Sequence, residues 1–211
     1  MTYEQTDAAD FASWGVDYLK YADCNGLGIS AQQRFTTMRD ALNKTGKSIY
    51  YSLSKTDPID VSTYGPATAN SWRTSGKVRN GGWENVRAAF LLNNDKALVS
   101  GPGGWNDPDL LDIGTGDLTL TEEKTQFALW ALAKAPLLIS CELASLTSQQ
   151  LSIVKNKNLI AVNQDPSSSQ ATCIFGCGNS ATLYGAPQLV KSVSQQNYYA
   201  AVVVNWSDLY T

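Results

Sequence analysis

The chain contains no histidine. That absence excludes Ser-His-Asp and Cys-His catalysis and every metal site built on imidazole. Chemistry must then fall to carboxylates, lysine, tyrosine or cysteine. Charge is sparse, with 17% of the 211 residues charged and a net charge of -3. No basic stripe able to follow a nucleic-acid backbone is present, so no nucleic-acid partner is expected. No apolar run approaches the ~18 residues that a membrane-spanning helix requires, and no membrane partner is expected either. Gly-rich phosphate loops are missing after every strand-like segment, which argues against a nucleotide-binding sheet. The four cysteines fit no zinc spacing, and neither a metal nor a cofactor is expected.

What is present reads as alternating strands and helices. The segments Val16 to Tyr21, Ser48 to Leu53, Ser71 to Thr74, Trp105 to Leu111 and Leu137 to Ser140 have strand character. Between them, helical spacing runs over Gly28 to Thr45, Trp83 to Leu92 and Thr121 to Ala133, with a last helix at Thr147 to Asn156. Repeated strand-helix units predict parallel strands with right-handed crossovers, either doubly wound or as a (β/α) barrel. Composition changes after Asp165-Pro166. Ser167 to Gln170 is a polar linker, and Ala181 to Tyr184 and Tyr198 to Trp206 are β-rich. The expected organisation is therefore an α/β domain over 1–166 and a β-rich segment over 167–211.

The cysteines and surface motifs bear on compartment. Cys173 and Cys177 bracket three residues and are candidates for a small disulfide loop, while Cys24 and Cys141 are expected as buried thiols. Asn43-Lys44-Thr45 and Asn205-Trp206-Ser207 match the glycosylation sequon. Low lysine with many Ser, Thr and Gln leans toward a secreted or extracellular protein. The chain opens on polar residues, so a leader is expected to have been removed, to be absent, or to lie upstream.

Polar side chains collect at the C-terminal ends of the strands: Lys20, Asp23, Ser52, Ser54, Arg73, Asp107 and Asp109. Functional groups at that end are what a barrel enzyme shows. The block Gly103-Gly-Trp-Asn-Asp-Pro-Asp-Leu-Leu111 sets Asp107 and Asp109 two apart behind Trp105. Carboxylate acceptors beside a flat aromatic face suit a sugar ring and its hydroxyls.

This block resembles the seventh barrel strand of the α-galactosidases of glycoside hydrolase family 27. Trp14-Gly-Val-Asp-Tyr-Leu-Lys-Tyr21 resembles the approach to that family's nucleophile, and Ala69-Asn-Ser-Trp-Arg-Thr-Ser-Gly76 the approach to its general acid. Ala131 to Ser140 and Ile160-Ala-Val-Asn-Gln-Asp-Pro166 resemble the end of its barrel. The resemblance implies a partial TIM-type barrel, equivalent to strands four to eight, followed by the start of an antiparallel β-domain. It also implies that the usual disulfide partner of Cys24 has no counterpart here, nor does the first part of the glycone site.

Within the matched stretches the sequence departs from the family pattern. The position implied for the nucleophile is Ala22, with Asp23 one residue later, and a one-residue shift in a strand moves a side chain to the other face. The position implied for the acid/base is Lys77, and the aglycone loop reads Ser54-Lys55-Thr56. A retaining glycosidase needs two carboxyls about 5 Å apart. The sequence therefore predicts a protein that has lost glycosidase catalysis and keeps weak, lectin-like binding of galactose through Lys20, Arg73, Trp105, Asp107 and Asp109. The alternatives are an active glycosidase using displaced carboxylates, Asp23 with Asp107 or Asp109, and a structural, self-associating protein. Open parallel edges predict a homo-oligomer.

Overall fold

The computed structural model describes residues 3–26, 28–54, 60–166, 169–188 and 198–206. Lys55 and Thr56 of the predicted aglycone loop, Ser167 and Ser168 of the linker and Ser207 of the second sequon lie outside the described residues.

Four parallel strands lie in the order β1 (Tyr18–Ala22), β2 (Tyr50–Ser54), β3 (Ser71–Arg73) and β4 (Trp105–Asp107). The helix α1 (Glu4–Ser13) precedes β1, and α2 (Ala31–Lys44) carries the chain from β1 back to β2. A single turn, α3 (Gly65–Thr68), lies before β3, and α4 (Gly82–Asp95) follows it. Ser30 starts α2 by accepting a hydrogen bond from the Gln33 amide, and Gly46, at φ +74°, ends it in the left-handed conformation that glycine adopts without strain.

The expected strand Leu137 to Ser140 is reduced to one parallel bridge, Leu111 with Ile139. Pro108 and Asp109, the latter at φ +86°, bend the neighbouring segment away after β4, so that residue 111 alone returns to pairing distance. Beyond it come α5 (Leu120–Leu132), α6 (Ser148–Val154) and α7 (Lys157–Gln164), then an antiparallel sheet of β5 (Thr172–Phe175), β6 (Ala181–Gln188) and β7 (Tyr198–Asn205). This is the partial barrel and β segment that the sequence predicts. Three details differ. The helix predicted from Thr121 starts earlier, because Thr119 and Glu122 form the capping box. The helix ending at Asn156 is followed by α7, because the Asn156 side chain accepts from the Asn158 and Leu159 amides and starts a new helix. The segment around Cys173 is itself a strand.

Two-residue alternation divides the first sheet into a helix face and an open face. Tyr51, Leu53 and Trp72 point to the helices and join Phe35, Met38 and Leu42 of α2 in one core. Gly65 and Gly104 flank the Trp72 ring so closely that a Cβ on either would lie within 3 Å of it. A second core gathers Val86 and Phe90 of α4, Phe127 and Trp130 of α5, and Leu111 and Ile113. Tyr184, Ala186 and Val204 of the antiparallel sheet belong to this core, so that sheet packs with α4 and α5 in one apolar cluster.

Candidate active site

The opposite alternation puts Lys20, Ser52, Ser71, Arg73 and Asp107 on the open face. Asp107 ends β4 and is 2% exposed. Its Oδ2 pairs with Lys20 Nζ of β1 at 3.3 Å, and its Oδ1 accepts the Asp109 amide at 2.9 Å. Asp109 is held from every side. Its Oδ2 accepts Arg73 Nη2 at 2.6 Å and the Val78 amide at 3.0 Å, while its carbonyl accepts Trp130 Nε1 at 2.8 Å. A non-glycine residue at φ +86° pays a steric cost, and such conformations persist where the surroundings fix them, often at functional sites. The Ser75 hydroxyl, donating to the Pro108 carbonyl at 3.0 Å, completes the clamp on this turn. Two carboxylates and two cations thus face one another at the C-terminal ends of β1, β3 and β4. The structure brings together four of the five predicted sugar-binding residues.

Trp105 is not with them. It starts β4, at the other end of the strands, and lines a cleft of about 550 Å³ with Tyr18 and Tyr50. Those two tyrosine rings stack at 5.4 Å. Ala22 is exposed and, two residues from Lys20, shares its open face. Asp23 turns to the other side and pairs with Arg34 of α2. Lys77 is exposed on the loop between β3 and α4, where its carbonyl accepts Asn85 Nδ2 at 3.2 Å. Cys173 and Cys177 are joined by a disulfide. Cys24, expected as a buried thiol, is exposed, because it follows the end of β1 beyond the reach of either core, and Cys141 is half-buried.

Two features escaped the sequence. Asn106 is fully buried, accepts Trp72 Nε1 at 2.9 Å and donates to the Lys96 carbonyl and to Gln170 Oε1. Gln170 in turn donates to Asn93 Oδ1 at 2.6 Å. The asparagine of the motif therefore ties the first sheet to the approach to the second, a role set by partners 64 residues apart. Asp112 is also fully buried, beside the same turn. Burial pushes its carboxyl above the usual carboxylate range. The Thr115 hydroxyl and Arg79 act against this, while negative Asp117 and Asp109 add to it.

Parallel strands with helical crossovers and polar groups gathered at the strand C-termini are the architecture of part of a (β/α) barrel. The family model described as Alpha galactosidase A matches residues 1–165, and the chain belongs to that family. It is 43% identical to Alpha-galactosidase 3 of Arabidopsis thaliana over 97% of this chain and 48% of that protein. It is 37% identical to an alpha-galactosidase of Oryza sativa subsp. japonica over 99% of this chain and 51% of that one. The alpha-galactosidase structure from Saccharomyces cerevisiae with raffinose superimposes with a TM-score of 0.78 at 31% identity, covering 88% of this chain and 49% of the other. The chain spans about half the length of the relatives it matches.

These relatives correct the prediction that the chain is a non-catalytic, lectin-like derivative. Over nearly its whole length it matches α-galactosidases. That prediction rested on two positions, Ala22 and Lys77, while Asp107 and Asp109 stand at the strand ends.

Proposed function

We propose that the chain is a glycoside hydrolase of the α-galactosidase kind, acting on α-linked galactose-type sugars through carboxylates displaced from positions 22 and 77. The observation that supports this reading is the Lys20–Asp107 and Arg73–Asp109 constellation, buried, charge-matched and set on strand ends next to a strained turn. Hydrolysis needs one carboxyl to act on the anomeric carbon or its attacking water and another to manage the leaving-group proton. Asp107 is the stronger candidate for the first role, since a single lysine, itself partly exposed, is its side-chain cation. Asp109 is the second carboxyl, with Arg73 and the Val78 amide fixing its direction. Lys20 and Arg73 are suited to sugar hydroxyls, because hydrogen bonds from ionised donors are the strong ones. Asp23 is the less favoured partner, since it faces α2.

The test is release of the phenol from an aryl α-galactoside by the purified chain. Turnover is expected, and Asp107→Asn should lower it by about 10²-fold or more, whereas Asp40→Asn, an exposed change on α2, should leave it unchanged. Turnover indifferent to Asp107→Asn and Asp109→Asn overturns the assignment.

The same reading carries two further proposals. The protein is secreted, supported by the Cys173–Cys177 disulfide, a bond that persists in oxidising compartments. It also self-associates, because β1 pairs on one side with β2 and, among the described residues, with no strand on its other side.

A further inference from the structure

We propose that Asn43 is an N-glycosylation site and that its glycan stands at the opposite end of the sheet from the candidate active site. This rests on the proposed secretion of the chain but not on its proposed hydrolase activity. Asn43-Lys44-Thr45 closes α2 and runs into Gly46. The Asn43 side chain is exposed on the last turn of that helix and sits on the rim of a shallow groove of about 230 Å³, beside Arg39, Pro66 and Asn70. A glycan at that point displaces no core residue, since the buried face of α2 is carried by Phe35, Met38 and Leu42. The Thr45 hydroxyl donates to the Leu42 carbonyl at 2.7 Å, and the left-handed Gly46 follows. The sequon therefore lies where the helix gives way to a turn, the kind of surface position such acceptors occupy.

The topology fixes which end this is. The helix α2 begins after the C-terminal end of β1 and delivers the chain to the N-terminal end of β2. Lys20, Arg73, Asp107 and Asp109 lie toward the strand C-termini, so a glycan on Asn43 leaves them open to substrate. The proposed secretion, and with it the compartment in which the modification occurs, is supported by the Cys173–Cys177 disulfide. In the modification, the Asn43 carboxamide nitrogen forms a bond to the anomeric carbon of an oligosaccharide carried on a lipid pyrophosphate. The lipid pyrophosphate leaves and the amide gives up one proton.

The experiment is secretion of the full chain from a eukaryotic host behind a heterologous leader, followed by intact and peptide mass spectrometry with and without peptide-N-glycosidase. The expected result is a glycan mass removed by the enzyme, with Asn43 converted to Asp in the released peptide. Asn43→Gln and Thr45→Ala should each lose that mass, and Thr45→Ser should retain it, which separates loss of the sequon from misfolding. Secreted chain with unmodified Asn43, or an undiminished glycan in Asn43→Gln, overturns the proposal; the latter would place the sugar on Asn205. The readout is a mass, so it stands or falls apart from the turnover assay.

Discussion

Asp109 concentrates the tension of the site in one residue. Its left-handed backbone is held by the Trp130 indole, the Asp107 carboxylate and its own side-chain bonds to Arg73 and Val78. Trp130→Phe removes the indole hydrogen bond and keeps much of the apolar volume. It should cost about 1 kcal/mol, the net value of such a bond, with more if the buried carbonyl stays unpaired. Urea unfolding measures it, and a fall in aryl-galactoside turnover should accompany the loss. Asp112 offers a second residue-level outcome. Its folded-state pKa lies above its ordinary value, so the folded chain favours the protonated form. That contribution is full below the unfolded value and is lost as pH rises through the raised one. Asp112→Asn cannot ionise, and should be more stable than the parent at pH 7, with the advantage shrinking toward pH 4. Urea midpoints at the two pH values decide it, and an advantage that grows on acidification contradicts the account. Lys20, Arg73, Asp107 and Asp109 were legible from the sequence because a strand-end position and a two-residue spacing are local facts. Trp105 stands apart from these four, which was not legible because spacing does not say at which end of a three-residue strand a side chain lies. Asn106 stayed hidden because its partner Gln170 is distant in the chain and adjacent in space.

At the scale of elements, caps decide where the helices begin. Thr119 and Thr147 each accept an amide three residues on, and Glu122 and Gln150 reach back. Thr119→Ala should lower stability by about 1 kcal/mol, and Thr119→Ser should restore most of it, read as a shift in urea midpoint with unchanged slope. The cap at Thr119 was overlooked because Thr121, followed by two glutamates, presents a similar signal two residues later. Helix α7 was missed, the last helix being expected to end at Asn156, because that residue serves as an N-cap through side-chain bonds that spacing alone does not show. The strands β1 to β4 were legible as existing elements, with ends shifted by at most four residues, since β-rich runs separated by helical spacing are a strong pattern. Leu137 to Ser140 has that pattern too, but a strand needs a straight neighbour, and Pro108 with Asp109 removes it.

At the scale of the molecule, the sheet order leaves β1 as an edge among the described residues and its open face partly bare. Tyr18 at the foot of that face is 38% exposed. Unpaired strand edges recruit partners. Light scattering at micromolar concentration should give a mass of at least twice 22.8 kDa, and a monomer that unfolds cooperatively would contradict self-association. The overall α/β pattern and the family were legible because matched stretches run in order along nearly the whole chain. The loss of catalysis was inferred from two positions, and the relatives overturn it. The central claim is that the Asp107–Asp109 constellation hydrolyses an α-galactoside. Its most direct measurement is phenol release from an aryl α-galactoside by the parent chain beside Asp107→Asn and Asp109→Asn. The account predicts turnover by the parent and a loss of about 10²-fold or more in each variant. Release that persists undiminished in both variants, or no release by a folded parent chain, would contradict it.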